Sequence, residues 1–110
     1  MIDYRPMEIT PQELKSRLDQ KENLLLIDVR EPDEYDICRI EGSKLIPMRE
    51  LPGKLDELDP KNSIVLYCHH GMRSLQAVNW LRKQGFDKTE SLQGGIEAWA
   101  EEIDPKMERY

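Results

Sequence analysis

The chain holds only two cysteines and two histidines in 110 residues, and each shortage excludes something. Cys38 and Cys68 stand thirty positions apart, which is not the spacing of a metal-binding pair, and so few thiols do not make a secreted disulfide framework. Both are expected as free thiols. No apolar run approaches the roughly eighteen residues that a membrane span requires. The opening stretch Met1 to Pro6 carries Asp3 and Arg5 where a secretory leader would need an apolar segment, so a cytoplasmic location is the expectation. Internal repeats and low-complexity segments are lacking too.

Acidic residues outnumber basic ones, 22 against 16, for a formal net charge of −6. That balance argues against nucleic acid or an anionic membrane surface as partner, since either would call for a basic face. It also means that a small anionic substrate would approach against the overall field, so a local positive site or delivery by a partner protein is needed. The length suits one domain over residues 1–110, large enough for a hydrophobic core without staples.

Thr10-Pro11-Gln12-Glu13 reads as a helix start, with threonine as cap, proline at the first helical position and glutamate three residues after the cap. Leu14 and Leu18 give that helix its apolar stripe, and it should end near Asp19. Leu24-Leu25-Leu26-Ile27, ending at Asp28, suits a central strand buried on both faces. Leu45-Ile46-Pro47 reads as a shorter strand near an edge, because proline removes a ladder donor. The recurrence of Leu51, Leu55 and Leu58 before Asp59-Pro60 predicts a second helix, and Ile64 to Tyr67 the next buried strand. Leu75, Ala77, Val78 and Leu81 predict an amphipathic helix closing at Gly85-Phe86. Ser91-Leu92 ends a last strand, and Gly94-Gly95 leads into a helix bearing Ile96, Trp99 and Ala100. Strands and helices alternate throughout. The expectation is an α/β fold, a mainly parallel sheet of about five strands with helices on both faces, which binds ligands at the carboxyl ends of its strands. Asp28 and Cys68 fall at two such ends.

Cys68 opens the turn Cys68-His69-His70-Gly71-Met72-Arg73-Ser74, directly after a buried strand and before a helix expected to begin near Ser74. A reactive cysteine needs its sulfur as an anion, and holding an anion two pKa units more favourably takes about 2.7 kcal/mol. The backbone N–H groups of residues 69 to 73 can converge on the sulfur, and the helix N-terminus adds its positive end. Gly71 permits the curvature, and Arg73 can donate to backbone carbonyls or to a bound oxyanion. Four residues separate Cys68 from Arg73, one fewer than in the cysteine-phosphatase signature. The smaller ring suits one extra sulfur atom better than a phosphoryl group, which argues against phosphatase or arsenate-reductase chemistry. The plainer alternative is an inert core thiol, which would not by itself call for the glycine and arginine beside it.

The Cys68 to Ser74 segment resembles the active loop of rhodanese-like sulfurtransferases. Asp28-Val29-Arg30-Glu31-Pro32-Asp33-Glu34-Tyr35 resembles that family's first signature, and Gly94-Gly95-Ile96-Glu97-Ala98-Trp99 its last. Through Glu34-Tyr35-Asp36-Ile37-Cys38-Arg39-Ile40 and the ending Asp104-Pro105 to Tyr110, the chain is also similar to the C-terminal rhodanese segment of molybdopterin-synthase adenylyltransferase-type proteins, without their adenylating domain. The resemblance implies a two-step reaction: Cys68 takes the outer sulfur of thiosulfate or a protein persulfide, then yields it to a thiophilic acceptor such as a sulfur carrier protein. An adenylyltransferase is a further partner implied, and no metal or organic cofactor is required. A binding or redox-sensing module on the same fold is the alternative.

Several residues carry a choice. Asp28 either orients the Cys68 loop, through its backbone or through Arg73, or is a simple strand-end carboxylate. Arg30 and Glu34, four apart, pair if the stretch between them is helical. Trp99 reads as a core anchor rather than a substrate contact. At most one of His69 and His70 should face the pocket, where it would supply part of the positive charge that relatives draw from arginine or lysine; the bland reading is that both are solvated. With no permanent cation among residues 69 to 72, thiosulfate becomes the weaker donor and a protein persulfide the better one. Cys38 either resolves a persulfide, protects Cys68, or merely packs.

Overall fold

The computed structural model describes residues 6–110; Met1 to Arg5, most of the stretch read for a leader, lie outside the described residues. Five parallel strands form one sheet in the order β1-β5-β4-β2-β3. They are β1 (Glu8–Ile9), β2 (Leu24–Asp28), β3 (Lys44–Leu45), β4 (Ser63–Tyr67) and β5 (Thr89–Leu92). The helices are α1 (Pro11–Asp19), α2 (Pro32–Ile37), α3 (Met72–Lys83) and α4 (Gly95–Glu102), with a 3₁₀ segment over Met48–Glu57. The expected parallel α/β architecture is the one observed. Among the described residues no helix is long and apolar enough to cross a membrane.

Local chemistry sets the element boundaries. Thr10 caps α1, its hydroxyl oxygen accepting from Glu13 N at 3.1 Å while Pro11 occupies a position that needs no N–H donor. Gly85, at φ +96°, closes α3 in the left-handed region. The second helix expected from the leucines at 51, 55 and 58 is present, wound as a 3₁₀ helix over Met48–Glu57. Pro52 lies inside the segment and has no N–H to give, so the chain takes the tighter 3₁₀ winding, which buries Leu51 and leaves Leu55 packed at the core's edge. β3 starts one residue before the expected strand; Ile46 N still donates to Asp28 O at 2.9 Å and Met48 N to Val29 O at 3.1 Å, so Pro47 falls between the two donors, at an edge position that needs no N–H. β1 has only two residues, too few to show a period.

Alternation along the central strands divides the core. Ile27, Ile64, Leu66 and Cys68 pack with Ala77, Val78 and Leu81 of α3 on one face, and Leu26, Val65 and Tyr67 with Leu14 of α1 and Ile96 and Trp99 of α4 on the other. Cys68 continues the period of β4 by one residue, so its side chain falls on the face that α3 covers. Asp28 is in register with Tyr67, which brings the segments leaving β2 and β4 side by side at the sheet's carboxyl edge.

Candidate functional site

The sulfur of Cys68 accepts from Gly71 N at 3.1 Å, Ser74 N at 3.4 Å and Ser74 Oγ at 3.5 Å. Of the amides of residues 69 to 73 expected to converge, only that of Gly71 reaches the sulfur within hydrogen-bond distance among the described residues. The helix also starts earlier than expected, at Met72 rather than near Ser74, so the second amide at the sulfur is that of Ser74 in its first turn. Gly71 sits at φ +101°, and a Cβ there would lie 3.2 Å from Gly94 N. Ser74 is fully buried, with its hydroxyl bonded to Ser91 Oγ at 2.7 Å and Gly71 O at 3.3 Å. Two amides therefore point at the sulfur, and the one proton of the Ser74 hydroxyl is shared among the sulfur, Gly71 O and Ser91 Oγ.

The outside of the loop is held by α4. Ile96 N donates to Cys68 O at 2.9 Å and Glu97 N to His69 O at 3.1 Å, so the otherwise unpaired first-turn amides of α4 occupy the loop's carbonyls. Gly94 and Gly95 take φ +77° and +63° to bring that helix end against the loop.

The charged residues pair differently from the expectation. Asp28 is engaged by Arg30, not Arg73: its carboxylate accepts from Arg30 N at 2.9 Å, Nε at 3.0 Å and Nη2 at 2.6 Å, with both side chains fully buried. The chain bends at Arg30 directly after β2, and the bond from Arg30 N to the Asp28 carboxylate closes a local turn that brings the guanidinium onto the same carboxylate. Removing one partner from such a pair strands the other charge. Glu34, one turn into α2, reaches instead to Arg73, accepting from Nη1 at 3.0 Å and Nη2 at 3.1 Å. Arg73 hydrogen bonding holds the Glu34 carboxyl down at about 2. A depressed carboxyl adds stability above its ordinary range, and loses it as pH falls from about 4.5 toward about 2. Arg73→Gln should flatten the melting-temperature profile in that window relative to the unsubstituted chain; since Arg73 is 40 % exposed, screening limits the difference to about 1 kcal/mol. Parallel profiles would mean that the clamp adds nothing to the fold.

His69 lies between two rings, with centroids 3.9 Å from both His70 and Tyr110. Its Nε2 is buried without a hydrogen-bond partner, and burial, followed by neighbouring His70, lowers its pKa. His69 thus favours its neutral form and is a poor source of the positive charge expected of a pocket-facing histidine, while His70 faces solvent. Met72 stands at the rim, 69 % exposed. Trp99 is buried on the sheet face opposite Cys68, and Cys38 packs at the edge of that same opposite core, so the structure does not bring the two thiols onto one face.

Tyr110 was not singled out from the sequence as a site residue. Its hydroxyl accepts from Arg30 Nη1 at 2.8 Å and donates to Glu34 Oε2 at 2.7 Å, joining both clamps. A tyrosine far along the chain from either motif carries no local pattern that announces such a contact.

The family description "Rhodanese-like domain" matches residues 10–102. The probable adenylyltransferase/sulfurtransferase MoeZ of Mycobacterium tuberculosis is 44% identical over 104 residues, covering 93% of this chain and 26% of that protein; the chain thus spans about a quarter of that relative's length. The putative sulfurtransferase YtwF of Bacillus subtilis is 39% identical over 99 residues, covering 90% of this chain and 95% of that one. A crystal structure of a rhodanese-like domain protein from Staphylococcus aureus superposes with a TM-score of 0.80 at 31% identity, covering 94% of this chain and 97% of that chain. With a parallel sheet that ends in an amide-bound sulfur and a family match across most of its length, the chain belongs to the rhodanese-like domain family.

Proposed function

We propose that this chain is a sulfurtransferase that carries sulfane sulfur on Cys68. The sulfurtransferase names of its relatives support the general role. The observation that carries the finer reading is the convergence of Gly71 N, Ser74 N and Ser74 Oγ on one sulfur. In the first step the Cys68 thiolate attacks the outer sulfur of a donor persulfide. A new S–S bond forms on Cys68, the donor's S–S bond breaks, and the donor leaves as its thiolate. In the second step an acceptor nucleophile attacks that outer sulfur, and the electron pair of the broken S–S bond returns to Cys68. Amides that stabilise a thiolate serve equally the terminal sulfur anion of the persulfide or the leaving thiolate.

A protein-borne persulfide is the favoured donor. Arg73 is neutralised by Glu34, Arg109 by Glu97 and Glu101, and residues 69 to 72 contain no permanent cation, so little at the loop draws thiosulfate against a net charge of −6. Exposed Met72 offers an apolar contact to a docked protein instead. By the same chemistry the acceptor is a sulfur carrier protein, with an adenylyltransferase as a further partner. Residues His69 to Arg73 form the binding loop in this reading, while Asp28, Arg30 and Ser74 support it.

Intact-mass measurement after incubation with a persulfidated donor protein, with thiosulfate and a small thiol persulfide alongside, tests the reading. The chain should gain one sulfur atom, located to the peptide that holds Cys68, and lose it to cyanide as thiocyanate. The low exposure of Cys68, 1 %, favours a second reading, in which the domain binds a partner or senses oxidants and its cysteine takes up no sulfur. No mass gain from any of these donors, the donor protein included, would favour that second reading.

A further inference from the structure

Beyond α4 the chain turns back on itself. Ile103 N and Asp104 N both donate to Trp99 O, and Met107 N to Asp104 O, closing a reversal after the last helical turn. Met107 packs against the core that α1 and α4 share. Arg109 then bonds Glu101, at 2.9 Å, and also Glu97, one turn nearer the start of α4. The segment thus runs antiparallel to α4, from its last turn to its first, and delivers Tyr110 to the end of the helix that holds the Cys68 and His69 carbonyls.

There Tyr110 joins the segments that follow two neighbouring strands. Its hydroxyl bonds Arg30 and Glu34, which follow β2. Its ring lies on that of His69, which follows β4, with an interplanar angle of 15°. β2 and β4 are neighbours in register, so the segments that trail them lie side by side at the sheet's carboxyl edge, where Cys68 directly follows β4 and where ligands of such sheets bind. Cys68, the group that must be reached, is 1 % exposed. Tyr110 itself is 42 % exposed; a residue so open contributes little to the core, and its bonds can break without unfolding what lies beneath.

We propose that Tyr110 is a latch across the approach to Cys68, and that sulfur transfer requires its release, which selects donors able to dock on the loop's rim and displace the ring. The inference rests on the sulfurtransferase reading for its purpose, but its geometry does not. A docking protein can exchange its own contacts for those of Tyr110 with Arg30, Glu34 and His69, whereas a small free anion has no such area to offer. Burial raises the Tyr110 hydroxyl to about 12, so the latch stays protonated and donating throughout the neutral range.

The test uses the full chain in a Cys38→Ser background, so that only Cys68 reacts, and reads its alkylation by iodoacetamide. Tyr110→Ala removes the stack and both hydrogen bonds and should speed the reaction about tenfold, the factor expected when roughly one charge-assisted hydrogen bond's worth of closure is lost. Tyr110→Phe keeps the ring on His69 and should give a smaller rise. A tyrosine that served only the fold would speed alkylation in step with lost stability, so melting temperatures are read on the same samples, and acceleration with an almost unchanged melting temperature is the expected result. Unchanged or slower alkylation in both variants overturns the latch; should Tyr110→Ala fold poorly, Tyr110→Phe alone decides, and a rate equal to that of the unsubstituted chain then overturns it. Alkylation needs no sulfur donor, so faster alkylation without sulfur uptake would leave the latch and remove the enzyme, and sulfur uptake with unaltered alkylation would do the reverse.

Discussion

The chain carrying Cys68→Ser is expected to take up no sulfur from any donor while keeping its fold. The hydroxyl is smaller than the thiol and sits in a site already furnished with donors: Gly71 N, Ser74 N and Ser74 Oγ can bond to oxygen as they do to sulfur. The cost is therefore the transfer of one polar group into a face lined by residues such as Leu66 and Val78, offset by hydrogen bonds, about 1–2 kcal/mol. The chemical loss is complete, because a serine hydroxyl gives no appreciable anion at neutral pH and forms no S–S bond. Intact mass after exposure to a small persulfide should show no added sulfur, with far-UV circular dichroism unchanged. Cys38→Ser, run alongside, should load as the unsubstituted chain does, since Cys38 belongs to the core on the other face of the sheet. Sulfur uptake by Cys68→Ser would move the cargo to Cys38 and remove the mechanism proposed for the loop.

That expectation depends on a division of labour between two helix starts. The first turn of α3 presents Ser74 N to the sulfur, while the first turn of α4 presents Ile96 N and Glu97 N to the carbonyls of Cys68 and His69. The loop's negative ends are thereby occupied from outside, and donors meet the sulfur from inside. A parallel sheet makes this available because every strand ends at the same edge, where the helices that follow begin.

Much of this was legible in the chain, for reasons that differ by element. Continuous apolar runs at 24–27 and 64–67, too short for helices and alternating with helical stretches, fit central strands buried on both faces, and the residue directly after β4 then lies at the ligand edge. The helix at 48–57 was legible, but not its 3₁₀ winding, because leucines at intervals of three and four fit either kind of helix; Pro52, inside the segment, was the available signal. β1 pairs through two residues and carries no pattern to read. The ion pairs were exchanged, Arg30 with Asp28 and Arg73 with Glu34. Helical spacing suggested Arg30 with Glu34, but α2 begins only at Pro32, so Arg30 lies in the bend before the helix and turns back onto Asp28. Tyr110 shows the limit most clearly, because a contact made eighty residues away from Arg30 depends on the whole tertiary structure.

Gly95→Ala should be the most destabilising of the glycine substitutions in this chain. A Cβ at position 95 would lie 2.3 Å from His69 O, 2.5 Å from His69 C and 2.6 Å from Cys68 O. All three are backbone atoms, so no flexible side chain can move aside, and either α4 or the Cys68 loop must shift. The φ of +63° adds about 1–2 kcal/mol for a residue with a Cβ, and the overlap should bring the total above about 3 kcal/mol. At this chain length that is a fall in melting temperature of roughly 10–20 °C. Gly42→Ala separates the two terms, because Gly42 has a φ of +86° with nothing within 4 Å of the added Cβ; it should lose only the backbone term and a few degrees. Where Gly95→Ala still folds, the bonds from Ile96 N and Glu97 N lengthen, the loop moves, and sulfur uptake should fall further than stability does. Equal losses for the two variants in both measurements would mean that the close approach of α4 to the Cys68 loop is not what holds the sulfur's surroundings in place.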